Sequence, residues 1–238
     1  MDERFSRTEL MLGGEVLERL KNARVAVFGV GGVGGYVVEI LARSGISHLA
    51  LFDNDRVNIT NINRQIIATT SSLEKYKIDV AKERILDINP EAEVETFNCF
   101  YLPENADNYD LSKYDYVVDC IDTISAKIEL AKRCSELKVP LISSMGSRNR
   151  LDFSKFKVCD VFETRYDKLA KVMRYELRKR GIKHLKVVCS EEDSSAIYQI
   201  EKINGKFVES SPVGPSIMGV IIGSEVMKDI AFNRLNKK

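Results

Sequence analysis

The stretch from Arg24 to Asp53 constrains the fold of this 238-residue chain more than any other. Arg24-Val25-Ala26-Val27-Phe28 is an apolar run of strand length. It leads into Gly29-Val30-Gly31-Gly32-Val33-Gly34-Gly35, and Val33 to Ser44 then reads as a helix with Val37, Val38, Ile40 and Leu41 on its apolar side. Gly45 stops that helix, His48 to Phe52 forms a second strand, and Asp53 follows 19 residues after Gly34. A glycine loop that ends one strand and opens a helix is the first crossover of a parallel sheet. Gly29, Gly31 and Gly34 form G-x-G-x-x-G, and Gly31 and Gly32 let backbone approach a phosphate without a Cβ in the way. The helix N-terminus offers N–H groups to an anion, and an acid at the end of the second strand can accept a ribose hydroxyl. A bound nucleotide is the expectation.

Strands and helices keep alternating downstream. Tyr76 to Ile88 is helical and stops at Asn89-Pro90, Glu93 to Cys99 is a strand, and so is Tyr116 to Ile121. Ala126 to Leu137 is a helix and Pro140 to Ser143 a strand. The expected fold class is α/β: a Rossmann-like, mostly parallel sheet covered by helices. After about residue 150 the rhythm changes. Phe153 to Phe162 alternates like an antiparallel strand, Asp167 to Arg180 is a charged helix ending at Gly181, and Ala196 to Val208 resembles a hairpin around Asn204-Gly205. A last helix starts near Pro215. With no repeat or flexible linker in view, residues 1–238 read as one unit. Residues 1–150 form the nucleotide part, and 151–238 are an antiparallel and helical extension of the same sheet.

Composition narrows the class. Hydrophobic residues make up 44% and charged residues 30%, which excludes a disordered chain, a collagen and a disulfide scaffold. Cys99, Cys120, Cys134, Cys159 and Cys189 form no CxxC, so no zinc knuckle is expected, and scattered thiols suit a reducing cytoplasm. Met1-Asp2-Glu3-Arg4 shows no apolar leader. Pro212 to Phe232 is the one membrane suspect. Glu225, Lys228 and Asp229 interrupt it, so it reads as a packed helix, with peripheral membrane association as the alternative.

The residues after Asp53 argue against a dehydrogenase. Thr60-Asn61-Ile62-Asn63-Arg64-Gln65 and then Lys77 place cations beside the ribose acid, where a triphosphate needs its charge neutralised. His48 and His184 are poorly placed for hydride chemistry and read as packed or solvated.

Here the chain resembles the ThiF/MoeB/HesA superfamily of adenylyltransferases, related to the ubiquitin-activating enzymes. The matching pieces are Arg4-Phe5-Ser6-Arg7, the Gly29–Gly35 loop, Leu51-Phe52-Asp53-Asn54-Asp55, Asn61-Ile62-Asn63-Arg64-Gln65, Lys77, Ile88-Asn89-Pro90 and Asp119-Cys120-Ile121-Asp122. Within that superfamily it is most similar to the tRNA threonylcarbamoyladenosine dehydratase family. The residues that carry this are Val57-Asn58-Ile59-Thr60-Asn61, Pro140-Leu141-Ile142-Ser143-Ser144-Met145-Gly146, Asp167 to Lys186, Val187 to Glu191 and Pro212 to Asp229.

The resemblance implies ATP-dependent cyclisation of threonylcarbamoyladenosine next to the tRNA anticodon, with adenylation of a carboxylate preceding ring closure. It implies that Gly29, Gly31, Gly32, Gly34 and Asp53 bind ATP, that Asn61, Arg64 and Lys77 hold its phosphates, and that Asp122 helps hold Mg²⁺. It also implies a homodimer in which Arg7 reaches the partner's ATP. It leaves room for a bound monovalent cation and for a sulfur-transfer or redox protein as partner. The alternative function is activation of the C-terminal Gly-Gly of a small sulfur-carrier protein; a nicotinamide oxidoreductase is the third reading.

Blander roles stand beside these. Arg7 could be a surface residue, Asp55 a turn cap, Asp119 an orienting group, and Cys120 and Cys189 packing residues. The net charge of +1 conceals an asymmetry. Residues 1–150 carry four more acidic than basic side chains, and residues 151–238 five more basic than acidic. Lys171, Arg174, Arg178 and Lys179 on the charged helix, with Arg148 and Arg150 after Gly146, are the candidate tRNA-phosphate contacts, against the bland reading of a solvated helix face.

Overall fold

One seven-stranded sheet organises the computed structural model, which describes residues 3–147, 150, 152–193, 202–203, 206–207 and 213–234. Its strands are β1 (Arg24–Phe28), β2 (His48–Phe52), β3 (Glu93–Phe97), β4 (Tyr116–Asp119), β5 (Leu141–Ser144), β6 (Phe156–Asp160) and β7 (Lys186–Ser190), in the order β3-β2-β1-β4-β5-β7-β6. Every neighbouring pair is parallel except β6 with β7. The chain runs outward from β1 to β3 and then returns to pair β4 on the other side of β1. That reversal opens a crevice at the carboxyl ends of β1 and β4, where open α/β sheets take their ligands.

The period-two burial of the strands divides two cores. Val25, Val27, Leu49, Leu51 and Val118 face one side, under α2 (Gly14–Asn22), α3 (Gly34–Arg43), α4 (Lys77–Ile88) and α7 (Val213–Ala231). Ala26, Phe28, Ala50, Phe52 and Val117 face the other, under α5 (Ile124–Leu137). At the carboxyl ends of the first three strands, Phe28, Phe52 and Phe97 lie in register and stack at centroid distances of 4.1 and 4.4 Å. This aromatic floor stiffens the strand ends that carry the ligand-facing loops.

Before β1, α1 (Ser6–Leu12) and α2 are separated by Gly13 at φ 91°. One sequence expectation needs correction. The extension after residue 150 is not wholly antiparallel, because β7 runs parallel to β5 and only β6 reverses within the main sheet. Val187-Val188-Cys189 is too short and too uniformly apolar to declare its conformation by periodicity; burial on both faces makes it a strand. Beyond it, β8 (Lys202–Ile203) and β9 (Lys206–Phe207) pair antiparallel, and the turn at 204–205 lies outside the described residues.

α6 (Lys168–Lys179) starts where the Asp167 side chain accepts from Ala170 N at 2.8 Å, and Arg178 and Lys179 complement the dipole at its other end. It covers the β7 end of the sheet through Ala170, Met173 and Leu177.

α7 puts its apolar side chains inside the protein. Met218, Ile222, Val226 and Ile230 are at most 1% exposed, each contributing about 1.5–3 kcal/mol of burial before entropy. Gly219 lets α7 close on α3, since a Cβ there would lie 2.3 Å from Val33 O. Asp229, 3% exposed, accepts from Tyr116 Oη at 2.8 Å and Lys186 Nζ at 2.7 Å, which anchors the helix to β4 and β7. Among the described residues no helix is long and apolar enough to cross a membrane.

Candidate active site

The glycine loop is built by two kinds of glycine. Gly29 has φ +84°, and a Cβ on it would meet Cys120 O at 2.8 Å; a Cβ on Gly34 would meet Gly29 O at 1.8 Å. These two close the turn, and Gly34 does not line the cavity. Gly31 and Gly32 do line it. Around Gly31 the nearest atom to a Cβ would be Gln65 Nε2 at 3.8 Å, so its open side faces the crevice.

Asp53 follows β2 and is fixed by two backbone donors, Val30 N on Oδ2 at 2.7 Å and Asp55 N on Oδ1 at 2.8 Å. Burial pushes its carboxyl above the ordinary Asp range, with the Lys77 charge and those two N–H groups opposing. The remaining lone pairs are in place for a ribose hydroxyl.

The next loop forms a short 3-10 turn, Ile59–Asn61. In its capping box Asn58 Oδ1 accepts from Thr60 N, and Asn61 Oδ1 accepts from Asn58 N at 3.0 Å. The Asn61 amide nitrogen is then the group left to meet a phosphate. Arg64 Nη1 donates to Thr60 O at 2.8 Å and Asn63 Oδ1 at 2.9 Å, which holds the half-buried guanidinium against the same turn. Lys77 is the first residue of α4 and 5% exposed, with Nζ 2.6 Å from Asp55 Oδ2. Asp55 also accepts Lys77 N on its carbonyl at 3.0 Å. It is the positioning group for this lysine rather than a simple turn cap.

Beyond β4, Asp122 is exposed at the cavity edge and has no ion-pair partner among the described residues. Asp119 turns away from the ligand side. Fully buried, it pairs with Lys127 Nζ at 2.9 Å, accepts Ser143 Oγ at 2.5 Å, and receives Ile121 N at 3.1 Å.

These elements enclose one cavity of about 900 Å³. It brings together Gly29, Gly31, Gly32, Asp53, Asn61, Arg64, Lys77 and Asp122, and it extends past the end of β5 to α6. That is room for a nucleotide and an acceptor side by side. Arg7 is exposed on α1 and lines no part of it. Arg148 lies outside the described residues. Arg150 is 5% exposed in the cavity wall and donates to Glu192 O, so it is not a surface cation. Arg174 turns back on the protein, donating to Thr164 O at 3.1 Å and to Thr164 Oγ1. Lys171, Arg178 and Lys179 remain exposed, with Arg178 over the Phe162 ring and Lys179 over the Tyr175 ring.

Two cavity residues carry no role in the sequence reading. Gln65 is 7% exposed, and its Oε1 has no hydrogen-bond partner among the described residues; its place in the Asn-x-x-Arg-Gln block was the available signal. Tyr166 also lines the cavity and has φ 52°, which no sequence pattern reveals. Cys120 lines the cavity too, but burial holds its thiol far above the ordinary range, and burial pushes Cys189 up to about 12. Neither makes an effective thiolate nucleophile.

Comparison with known proteins agrees with this geometry. The chain is 42% identical to the tRNA threonylcarbamoyladenosine dehydratase of Bacillus subtilis, over all of both chains. It superposes on the E. coli tRNA N6-threonylcarbamoyladenosine dehydratase TcdA in complex with ATP with a TM-score of 0.88 at 30% identity, covering 99% of this chain and 97% of that one. A molybdopterin-synthase adenylyltransferase of Haemophilus influenzae is 33% identical over 58% of this chain and 57% of its own. The ThiF family model matches residues 5–231. With Gly31, Gly32, Asp53, Arg64 and Lys77 gathered in one crevice and the family model matching nearly the whole chain, the chain belongs to the ThiF family.

Proposed function

We propose that this chain is an ATP-dependent tRNA threonylcarbamoyladenosine dehydratase. The observation that carries the reading is the extent of the likeness. The B. subtilis dehydratase matches from end to end, whereas the molybdopterin-type relative matches little more than half of the chain. The part beyond the adenylating half is therefore what favours tRNA over a carrier protein.

The chemistry follows from the poor leaving ability of oxide. An oxygen of the threonyl carboxylate attacks the α-phosphorus of ATP and pyrophosphate leaves. A nitrogen of the neighbouring carbamoyl group then attacks the activated carbonyl, losing its proton to solvent, and AMP departs with the former carboxylate oxygen. The new C–N bond closes a five-membered ring. The second step is intramolecular, so orientation supplies much of its rate and no protein nucleophile is needed. That accords with thiols held protonated by burial.

The chain's own groups have definable tasks. Asp53 accepts from the ribose, while Gly31 and Gly32 admit the phosphates to backbone. Arg64, Lys77 and the Asn61 amide neutralise charge growing on the departing pyrophosphate. Asp122 suits Mg²⁺ bound together with a nucleotide, because that ion takes one or two carboxylates and fills its octahedron with phosphate oxygens and water. When bound it would neutralise phosphate charge. Arg7 is best explained as a residue given to a second copy. It misses its own cavity, and the helix that carries it leaves Leu10 87% and Met11 70% exposed, an apolar face for a homodimer to cover. Lys171, Arg178 and Lys179 are the exposed cations for tRNA phosphates.

The decisive experiment is incubation with ATP and threonylcarbamoyladenosine-bearing tRNA, followed by nucleoside mass spectrometry under mild conditions. Loss of one water from the modified nucleoside, with AMP released, is expected. ATP–pyrophosphate exchange that depends on a Gly-Gly carrier protein and not on tRNA would replace this reading with the carrier-protein one.

A further inference from the structure

Resting on that reading, we propose that the Tyr166 ring is the platform on which the base of the target adenosine stacks when it leaves the anticodon loop.

The position follows from the order of the sheet. Asp53 at the end of β2 sets the ribose end of the nucleotide, and the glycine loop after β1 sets its phosphates. The cavity then continues past β4 and β5 to Tyr166, Lys168 and Val172. These three border the part of the cavity past β5, at the other end of the strand order from Asp53. The reacting carboxylate is joined to the purine by only a few bonds. The base must therefore come to the cavity mouth with it, and a base in a paired or stacked loop reaches such a site only by swinging out.

The local build of Tyr166 is that of a group held out on purpose. The residue is 60% exposed, and its backbone sits at φ 52°, a conformation costly for a bulky residue. The neighbouring Asp167 over-determines that conformation. This carboxylate is 4% exposed; Oδ1 accepts Ala170 N at 2.8 Å, capping α6, and Oδ2 accepts Gly146 N at 2.9 Å, tying α6 to the loop after β5. Asp167 N in turn donates to Arg165 O at 2.5 Å, closing a tight turn around Tyr166. Among the described residues no aromatic ring and no cation stacks on Tyr166. Tyr175, exposed on α6, by contrast has Lys179 over its ring. The flanking Arg165, Lys168 and Lys171 are exposed, so the ring is bordered by cations that suit the phosphates of a single-stranded loop.

The test uses threonylcarbamoyladenosine-bearing tRNA and three variants of the full chain. Tyr166→Ala is expected to raise KM for tRNA by about tenfold to a hundredfold, the range that base–aromatic stacking supplies, with ATP affinity unchanged by calorimetry. Tyr166→Phe is expected to stay within about twofold of wild type, since stacking needs only the ring. Tyr166→Gly relieves the backbone and removes the platform. It should melt no lower than wild type while losing tRNA affinity like Tyr166→Ala, a combination that a merely structural role does not produce. An anticodon stem-loop with 2-aminopurine at the target position should be brighter with Tyr166→Ala than with wild type, where the ring quenches it. Wild-type turnover with an unchanged KM in Tyr166→Ala would overturn the proposal. So would a loss of ATP affinity, which would place the ring on the nucleotide instead. A wild-type protein that binds ATP but fails to dehydrate this tRNA would remove the functional reading itself, and the stacking proposal with it.

Discussion

Lys127 Nζ lies 2.9 Å from Asp119 Oδ2, and both side chains are sealed from solvent. The lysine comes from α5 and the aspartate from the last residue of β4, directly beneath the cavity floor. Lys127 also donates to Ile121 O at 3.0 Å, so the pair clamps the chain between Asp119 and Asp122. It has no direct reach to a ligand and acts by fixing the backbone from which Asp122 projects.

Lys127→Met should therefore be costly, because it leaves a carboxylate buried without its counter-charge. About 3–5 kcal/mol is expected from urea unfolding. The double variant Lys127→Met/Asp119→Asn should recover part of that loss, since it removes the stranded charge as well. Equal stability of the single variant and wild type would show that the pair contributes nothing.

Arg64→Ala should reduce ATP–pyrophosphate exchange by about 10²–10³-fold, the usual effect of deleting one preorganised donor, with an unchanged circular dichroism spectrum. Asp122→Asn should shift the Mg²⁺ titration of turnover to higher concentration. An unmoved midpoint would take Asp122 out of the metal site.

Glu39 of α3 pairs with Arg43 Nε of its own helix at 2.7 Å and links to α4 through Arg84 Nε at 2.6 Å. Burial opposes its charge, but the hydrogen bonds from Arg84 and Arg43 outweigh burial and hold the carboxyl below its ordinary value of 4.5. A depressed carboxyl stabilises the fold fully above the unfolded value and loses that contribution as pH falls through the lower, folded value. Glu39→Gln should thus be less stable than wild type at neutral pH, with the two converging well below pH 4.5. Parallel stability curves across that range would contradict the assignment.

Gly219→Ala places a methyl group where Val33 O already sits, 2.3 Å from the new Cβ. The expected cost is about 1–3 kcal/mol from forced separation of α7 and α3. For a chain of this size that lowers Tm by roughly 2–4 °C per kcal/mol. Val220→Ala on the 41% exposed neighbour is the control, expected within about 0.5 kcal/mol of wild type.

Much of the site was legible because it is local chemistry. A strand, a glycine loop, a helix and an acid at set spacing have one economical fold, and Arg64 and Lys77 follow Asp53 closely enough for their charge to speak. The parallel sheet was legible for a similar reason, since buried strands and amphipathic helices leave different periods in the chain. The limits show at individual residues. β7 has too short an apolar run to reveal its state. Arg150 and Arg174 look like surface cations in a row of letters, yet both turn inward to protein carbonyls. Lys186, on β7 beyond the charged helix, likewise meets Glu225 and Asp229 of α7.

By itself, then, the sequence determined the Rossmann-like core, the glycine loop and the cations we propose for the phosphates. These rest on backbone propensity and close spacing along the chain. Tertiary structure alone decided that Asp55 holds Lys77, that Lys127 neutralises a buried Asp119, which basic residues face solvent, and that Tyr166 stands in a left-handed turn at the cavity rim. The physical reason is that burial and pairing belong to whichever element covers a face. The partner can come from more than a hundred residues away, as Asp229 of α7 does for Tyr116 of β4, beyond the reach of any local pattern.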